Sequence, residues 1–300
     1  MRTKIKLYLD WIINVQFAGL VMAMENHDYE QRGIDLEIIP WDGKALVTDY
    51  LLEKSDEIRL ATVEDNLLVK DINMGKPLQA VATMMQSSPI GLMAKKNKFP
   101  SFPEELRDKK LAVHIDGLAM IGLLMKKVGL EQTSLDIVTV GADWLDDFVS
   151  DKVDLMQCYA MLEPISVRQM GFEVDVFPAC EWGYDVYSQV IVSRRDLQIQ
   201  HQSIINDFLE VTFEGWKKAF SEPEKIVSLL VEQYHQSEPF DVQVKMLHEL
   251  KKWIFDFKKG YFQGEMEWEK WKAILSIYHN MGYIDKLIDP MDIVPTTQLQ

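Results

Sequence analysis

From residue 5 to about residue 157 the chain repeats one phrase: a short β-rich run, a polar joint, then a helix-length amphipathic stretch. The runs are "KIKLYL" (4–9), "IDLEII" (34–39), "EIRLA" (57–61), "LQAVATM" (78–84), "IGLMAKK" (90–96), "KLAVHI" (110–115), "DIVTV" (136–140) and "VDLMQCY" (153–159). Helical stretches at 17–27, 45–53, 65–74, 117–128 and 143–150 separate them. Such alternation predicts parallel strands joined by crossover helices that cover both faces of a sheet. One joint breaks the pattern. "MQSSP", between the fourth and fifth runs, is too short for a crossover helix, so the chain there leaves one sheet for another.

The segment "GYDVYSQVIVSRRDL" (183–197) is the expected return, because only helix follows it, at 201–220, 222–235, 239–255 and 265–280. Ser221 and Pro223 suit a cap and a first-turn proline. The expectation is an α/β chain of two lobes, residues 1–88 with 188–300 in the first and 89–187 in the second. Each lobe is a mostly parallel sheet flanked by helices, the C-terminal part is helical, and a ligand cleft lies between the lobes.

Charge narrows the partners. With 32 basic against 47 acidic residues the formal charge is −15, spread along the whole chain, so neither a nucleic acid nor an anionic membrane surface is an expected partner. No window reaches the roughly 18 apolar residues of a membrane span, which predicts a soluble chain. "MRTKIKLYLD" alternates like a half-buried strand and not like a signal peptide. A cytoplasmic protein or one whose leader has been removed is the expectation. Cys158 and Cys180 form neither a disulfide framework nor a metal site and are expected as buried free thiols.

In open α/β sheets ligands settle beyond the carboxyl ends of the strands, so the polar residues there are the candidates. After the first run stand Asp10, Trp11, Asn14 and Gln16. An indole stacks on a flat ring while amides donate and accept; equally, Asn14 would cap the next helix and Trp11 fill a gap beneath it. After the third run come Thr62 and Glu64, which suit a ligand, and Asp65, which suits a cap favoured by the helix dipole. Gln86 marks the first crossing and reaches toward the cleft.

In the second lobe Asp116 and Gly117 precede a helix whose first N–H groups are free for an acceptor. One glycine is a weak phosphate signal, and neither GxGxxG nor GxxxxGK[ST] is present. Tyr159 and Glu163 lie past a strand in apolar surroundings, where Pro164 in a first turn would set Glu163 at a helix N-terminus facing the cleft. Trp182, Tyr184 and Tyr187, at the return crossing, either close over a bound ring or pin the hinge. HExxH, CxxC and GxSxG are missing and the six histidines show no ligand spacing, so no metal or cofactor is expected. The acidic run 143–154 reads as a solvated helix face.

"LDWIINVQFAGLVMAMENHDYEQRGIDLEIIP", "GKPLQAVATMMQSSPIGLMAKK", "FPEELRDKKLAV", "DKVDLMQCYAMLEPI" and "GYDVYSQVIVSRRDL" resemble the substrate-binding proteins of ABC importers for the pyrimidine precursor of thiamine. The resemblance covers about two-thirds of the chain, within a family that includes yeast-type pyrimidine synthases and flavin-precursor binders. It implies a type II periplasmic-binding-protein fold, ligand contacts at Trp11, Asn14 and Glu163, an ABC-transporter permease as partner and an extracytoplasmic location. Where the family usually has a histidine this chain has Phe17. Aligned through "GKPLQAVAT", the synthase's lysine falls on Val63 and a histidine on Leu67, and its cysteine run has no counterpart. A Schiff base cannot form there. The expected function is non-catalytic binding of a thiamine-related aminopyrimidine, with Trp11 stacking, Asn14 and Gln16 reading the ring edge and Glu163 accepting from an amine. The alternatives are a pyrimidine-making enzyme and a metabolite-sensing module.

Overall fold

The computed structural model describes residues 2–53, 55–131, 134–141, 145–236, 238–255 and 264–295. Ten strands form two five-stranded sheets. The first has the order β2-β1-β3-β10-β4, from β1 (Thr3–Tyr8), β2 (Ile34–Ile39), β3 (Ile58–Val63), β4 (Leu78–Met85) and β10 (Ser188–Arg194). The second has the order β7-β6-β8-β5-β9, from β5 (Ile90–Lys95), β6 (Lys110–Val113), β7 (Asp136–Thr139), β8 (Leu155–Tyr159) and β9 (Val174–Pro178).

In each sheet four strands point one way and one opposes them. That strand is the one reached by a crossing: β10 runs antiparallel to β3 and β4, and β5 antiparallel to β8 and β9. The two crossings also hold each other, through Ser87 Oγ donating to Asp185 at 2.7 Å and Ser88 N to the Val186 carbonyl at 2.7 Å.

Both faces of the first sheet are covered, as alternation along β1 shows: Ile5 and Leu7 enter one core and Tyr8 the other. β4, "LQAVATMM", is buried at every position. Against one face packs the helix Ala18–Glu25, so tightly on Gln202–Ser221 that Gly19 faces the Trp216 ring with no room for a Cβ. β9 was not among the expected strands, because "VDVFP" is short and ends in proline. Ser221 ends the helix Gln202–Ser221 by bonding the Lys218 carbonyl and does not cap the next; Pro223 does open the helix Pro223–Gln233. Of the run 143–150, Leu145–Val149 is helical, while Asp143 and Trp144 lie outside the described residues. Cys158 is buried and Cys180 half-buried, both free thiols. Among the described residues no helix is long and apolar enough to cross a membrane.

Candidate functional site

A cavity of about 350 Å³ opens where the carboxyl ends of six strands converge, three from each sheet. β1 supplies Asp10, Trp11 and Gln16; β2 leads to Trp41; β3 ends at Val63 and Glu64. From the second sheet β6 leads to His114 and Asp116, β7 to Gly141, and β8 to Tyr159 and Glu163. Parallel strands release their chains on the same side, so polar residues far apart in sequence meet at one edge.

Of the expected site residues, Trp11, Gln16, Glu64, Asp116, Tyr159 and Glu163 line this cavity. The Trp11 ring stacks on Trp41 with centroids 5.5 Å apart and meets the edge of His114 from the other sheet at 5.0 Å. Gln16 is buried with its Oε1 held by Gln189 Nε2 at 2.9 Å.

Glu64 is 5 % exposed, and its Oε1 accepts from Tyr159 Oη at 2.5 Å, Ser188 Oγ at 2.7 Å and Gln189 N at 3.3 Å. The bond from Tyr159 ties the second sheet to the first. Loss of water pushes the Glu64 carboxyl well above the usual range, and repulsion from Asp116 and Asp10 adds to it. Glu163 begins the helix Glu163–Gln169 with Pro164 in its first turn, and its Oε2 accepts from Tyr159 N at 2.7 Å. Burial pushes its pKa up to about 7 against the pull of those backbone N–H groups.

Asn14, Thr62, Gln86, Tyr184 and Tyr187 are engaged elsewhere. Asn14 Oδ1 accepts from Gln16 N at 2.8 Å and caps the turn Val15–Phe17. It does not line the cavity, and its observed role is that of a cap. Thr62, fully buried, donates to Asp10 Oδ1 at 2.6 Å and accepts from Asp10 N, and so positions a lining residue without lining the cavity. Gln86 Nε2 donates to the Glu265 carbonyl at 3.0 Å. Tyr184 is paired with Tyr278 Oη at 3.1 Å, and Tyr187 Oη accepts from Glu267 N at 2.8 Å beneath Trp271. The two tyrosines pin the crossing. Gly117 likewise departs from its expected role, since its N–H donates to the His114 carbonyl.

Trp41, His114 and Gln157 line the cavity without having been expected to, and Asp10, a candidate in the first joint, lines it as well. Asp10 stands in the same joint as Trp11, and burial raises its carboxyl to about 6. Trp41 is an aromatic in a Gly- and Asp-containing loop after a strand, a signal that could have been used. Gln157 is hidden within β8, yet its Oε1 accepts from His114 N at 3.0 Å and its Nε2 donates to Asp116 Oδ1 at 3.1 Å. His114 Nδ1 donates to the Val140 carbonyl at 3.0 Å, and burial holds its pKa below the usual value despite Asp116. Among the described residues no three His, Cys, Asp or Glu side chains group to hold a metal ion.

Two mixed sheets, two crossings and one cavity at the shared strand ends define a type II periplasmic-binding-protein fold. The aliphatic-sulphonate-binding protein SsuA of Escherichia coli superposes with a TM-score of 0.76 over 99% of this chain and 99% of its own at 14% identity. The desulfurization enzyme DSZB superposes at 0.63 with 8% identity over 98% and 97%, so the fold alone does not set the chemistry. The chain belongs to the NMT1/THI5-like family, whose model matches residues 14–226. It is 21% identical over 295 residues to the riboflavin-binding protein RibY of Chloroflexus aurantiacus, covering 94% of this chain and 77% of that one. It is 22% identical over 199 residues, 64% of this chain and 61% of the other, to a Haemophilus influenzae protein named for thiamine biosynthesis.

Proposed function

We propose that the chain is a non-catalytic solute-binding protein of the ABC-import type whose cavity takes a small aromatic heterocycle, an aminopyrimidine related to thiamine. The observation that carries this reading is the convergence on one cavity of Trp11 and Glu64 from the first sheet with Asp116, Tyr159 and Glu163 from the second. An indole offers a face to a flat ring, and carboxyl groups accept from its exocyclic amines. Stacking with a charge-assisted hydrogen bond contributes about 2–4 kcal/mol beyond burial. One relative is named for riboflavin binding and another for thiamine biosynthesis, which supports an aromatic heterocycle as the class of ligand.

Val63 and Leu67 support the non-catalytic reading. Both line the cavity at the positions where the synthase resemblance would put a lysine and a histidine, and neither side chain forms a Schiff base or moves a proton. In this reading residues 1–88 with 188–300 form one body and 89–187 the other, and they close on the ligand about segments 86–90 and 184–188. The working location is extracytoplasmic and the partner a transporter permease.

Calorimetric titration with 4-amino-5-hydroxymethyl-2-methylpyrimidine tests the proposal. Trp11→Ala is expected to weaken binding about 10- to 100-fold, with partial recovery in Trp11→Phe, and Glu163→Gln by about 10-fold. Unchanged affinity in both Trp11→Ala and Glu163→Gln would remove this cavity as the site.

A further inference from the structure

The ionisable side chains of the cavity, His114 apart, are all acids. Asp10 and Glu64 enter it from the first sheet, Asp116 and Glu163 from the second, and among its described lining residues there is neither lysine nor arginine. The imidazole of His114 compensates little, because burial holds its pKa below the usual value. A further carboxylate, Glu238, also bears on Glu163 and raises its pKa. Like charges gathered in a water-poor space repel one another, and the arrangement is costly until a counter-charge arrives.

A separate observation shows where that counter-charge fits. All three hydrogen bonds to Glu64 fall on Oε1, and Oε2 of this 95%-hidden side chain accepts none among the described residues. The rings of Trp11, Trp41 and Tyr159 line the same cavity. Aromatic faces attract cations through their quadrupole, and do so more strongly in a desolvated pocket. Apolar contact, aromatic faces and an oxygen of the buried Glu64 carboxyl that accepts no hydrogen bond among the described residues together suit a flat ring that carries positive charge. They oppose an anion from every side.

Resting on the heterocycle reading above, we propose that this cavity selects a cationic heteroaromatic ligand, quaternary or protonated on the ring, over its neutral isostere, and excludes phosphorylated forms. Glu64 and Asp116 are the specificity-determining residues: Glu64 meets the positive charge through Oε2, and Asp116 reinforces it from the opposite sheet while Gln157 holds it in place.

The test compares three probes by calorimetry at pH 8 and low salt: thiamine, which carries a thiazolium; deazathiamine, the neutral thiophene isostere of the same shape; and thiamine monophosphate. Thiamine is expected to bind at least ten-fold more tightly than either of the others. In Glu64→Gln, whose amide oxygen can still accept the three Oε1 bonds, the preference for thiamine over deazathiamine is expected to fall below three-fold, and Asp116→Asn is expected to act in the same direction. Deazathiamine binding as tightly as thiamine to the unaltered protein overturns the charge selection and leaves the heterocycle reading standing. Binding of none of the three, nor of 4-amino-5-hydroxymethyl-2-methylpyrimidine, overturns both. A preference for thiamine that survives unchanged in both variants overturns the assignment to Glu64 and Asp116.

Discussion

Glu64 shows what the cavity costs the ligand-free protein. Its carboxyl is buried beside Asp116 and Asp10, and the pKa values of Glu64, Asp10 and Glu163 all lie above the ordinary carboxylate range, the last two at about 6 and about 7. A carboxyl raised in the folded state keeps its proton there after the unfolded chain has lost it. Between about pH 4 and pH 7 the native state therefore binds more protons, and its stability falls as pH rises through that window. The melting temperature of the ligand-free protein is expected to be higher at pH 5.5 than at pH 8 in thermal unfolding; a melting temperature that rises steadily with pH would contradict this. Glu64→Gln removes the buried acid without removing the acceptor, and is expected to stabilise the ligand-free protein by about 1–2 kcal/mol at pH 8 while weakening ligand binding, a trade common at functional sites. The sequence shows Glu64 at a strand end, but not this crowding, because Asp10 and Asp116 approach it only through tertiary packing.

At the scale of elements, the strand ends were legible and their partners were not. Short apolar runs bounded by polar joints marked β1, β3, β6 and β8, and with them Trp11, Glu64, Asp116 and Tyr159. Pro164 marked the helix that begins at Glu163. Tyr184 and Tyr187 stayed open because an aromatic near a crossing reads the same whether it meets a ligand or the core, and only the fold brings Tyr278 and Trp271 onto them. Gln157 carries no signal at all, since its partners His114 and Asp116 are about forty positions away on a neighbouring strand's turn. Gly117 is explained by that side chain, not by an anion: a Cβ there would stand 1.9 Å from Gln157 Oε1. Gly117→Ala is expected to push Gln157 off Asp116, costing about 1–3 kcal/mol in chemical denaturation and weakening ligand binding severalfold. Gly19→Ala, which sets a Cβ against the buried Trp216 ring, is expected to cost as much stability with little change in affinity per folded molecule. Equal loss of affinity in the two variants would deny Gln157 its positioning role.

For the whole molecule, the two crossings explain how one chain makes two sheets whose active edges face each other. Each crossing inserts one opposing strand into its new sheet, so the remaining strands of both sheets stay parallel and deliver their polar ends to a common gap. Across that gap Tyr159 bonds Glu64, Asn66 Nδ2 donates to the Asp116 carbonyl at 2.8 Å, and Trp11 meets His114, so the two halves are already in contact around the cavity. The length of "MQSSP" made the first crossing legible, whereas the ligand's identity depends on side chains that vary freely on one fold. The central claim is that this shared cavity is where a heterocycle binds. A crystal structure of the protein with bound 4-amino-5-hydroxymethyl-2-methylpyrimidine tests it most directly. The account predicts the ring in van der Waals contact with Trp11, within about 4 Å, and its amine within about 3 Å of a carboxylate oxygen of Glu64, Asp116 or Glu163. A ligand bound on any other surface, with this cavity filled only by water, would contradict it.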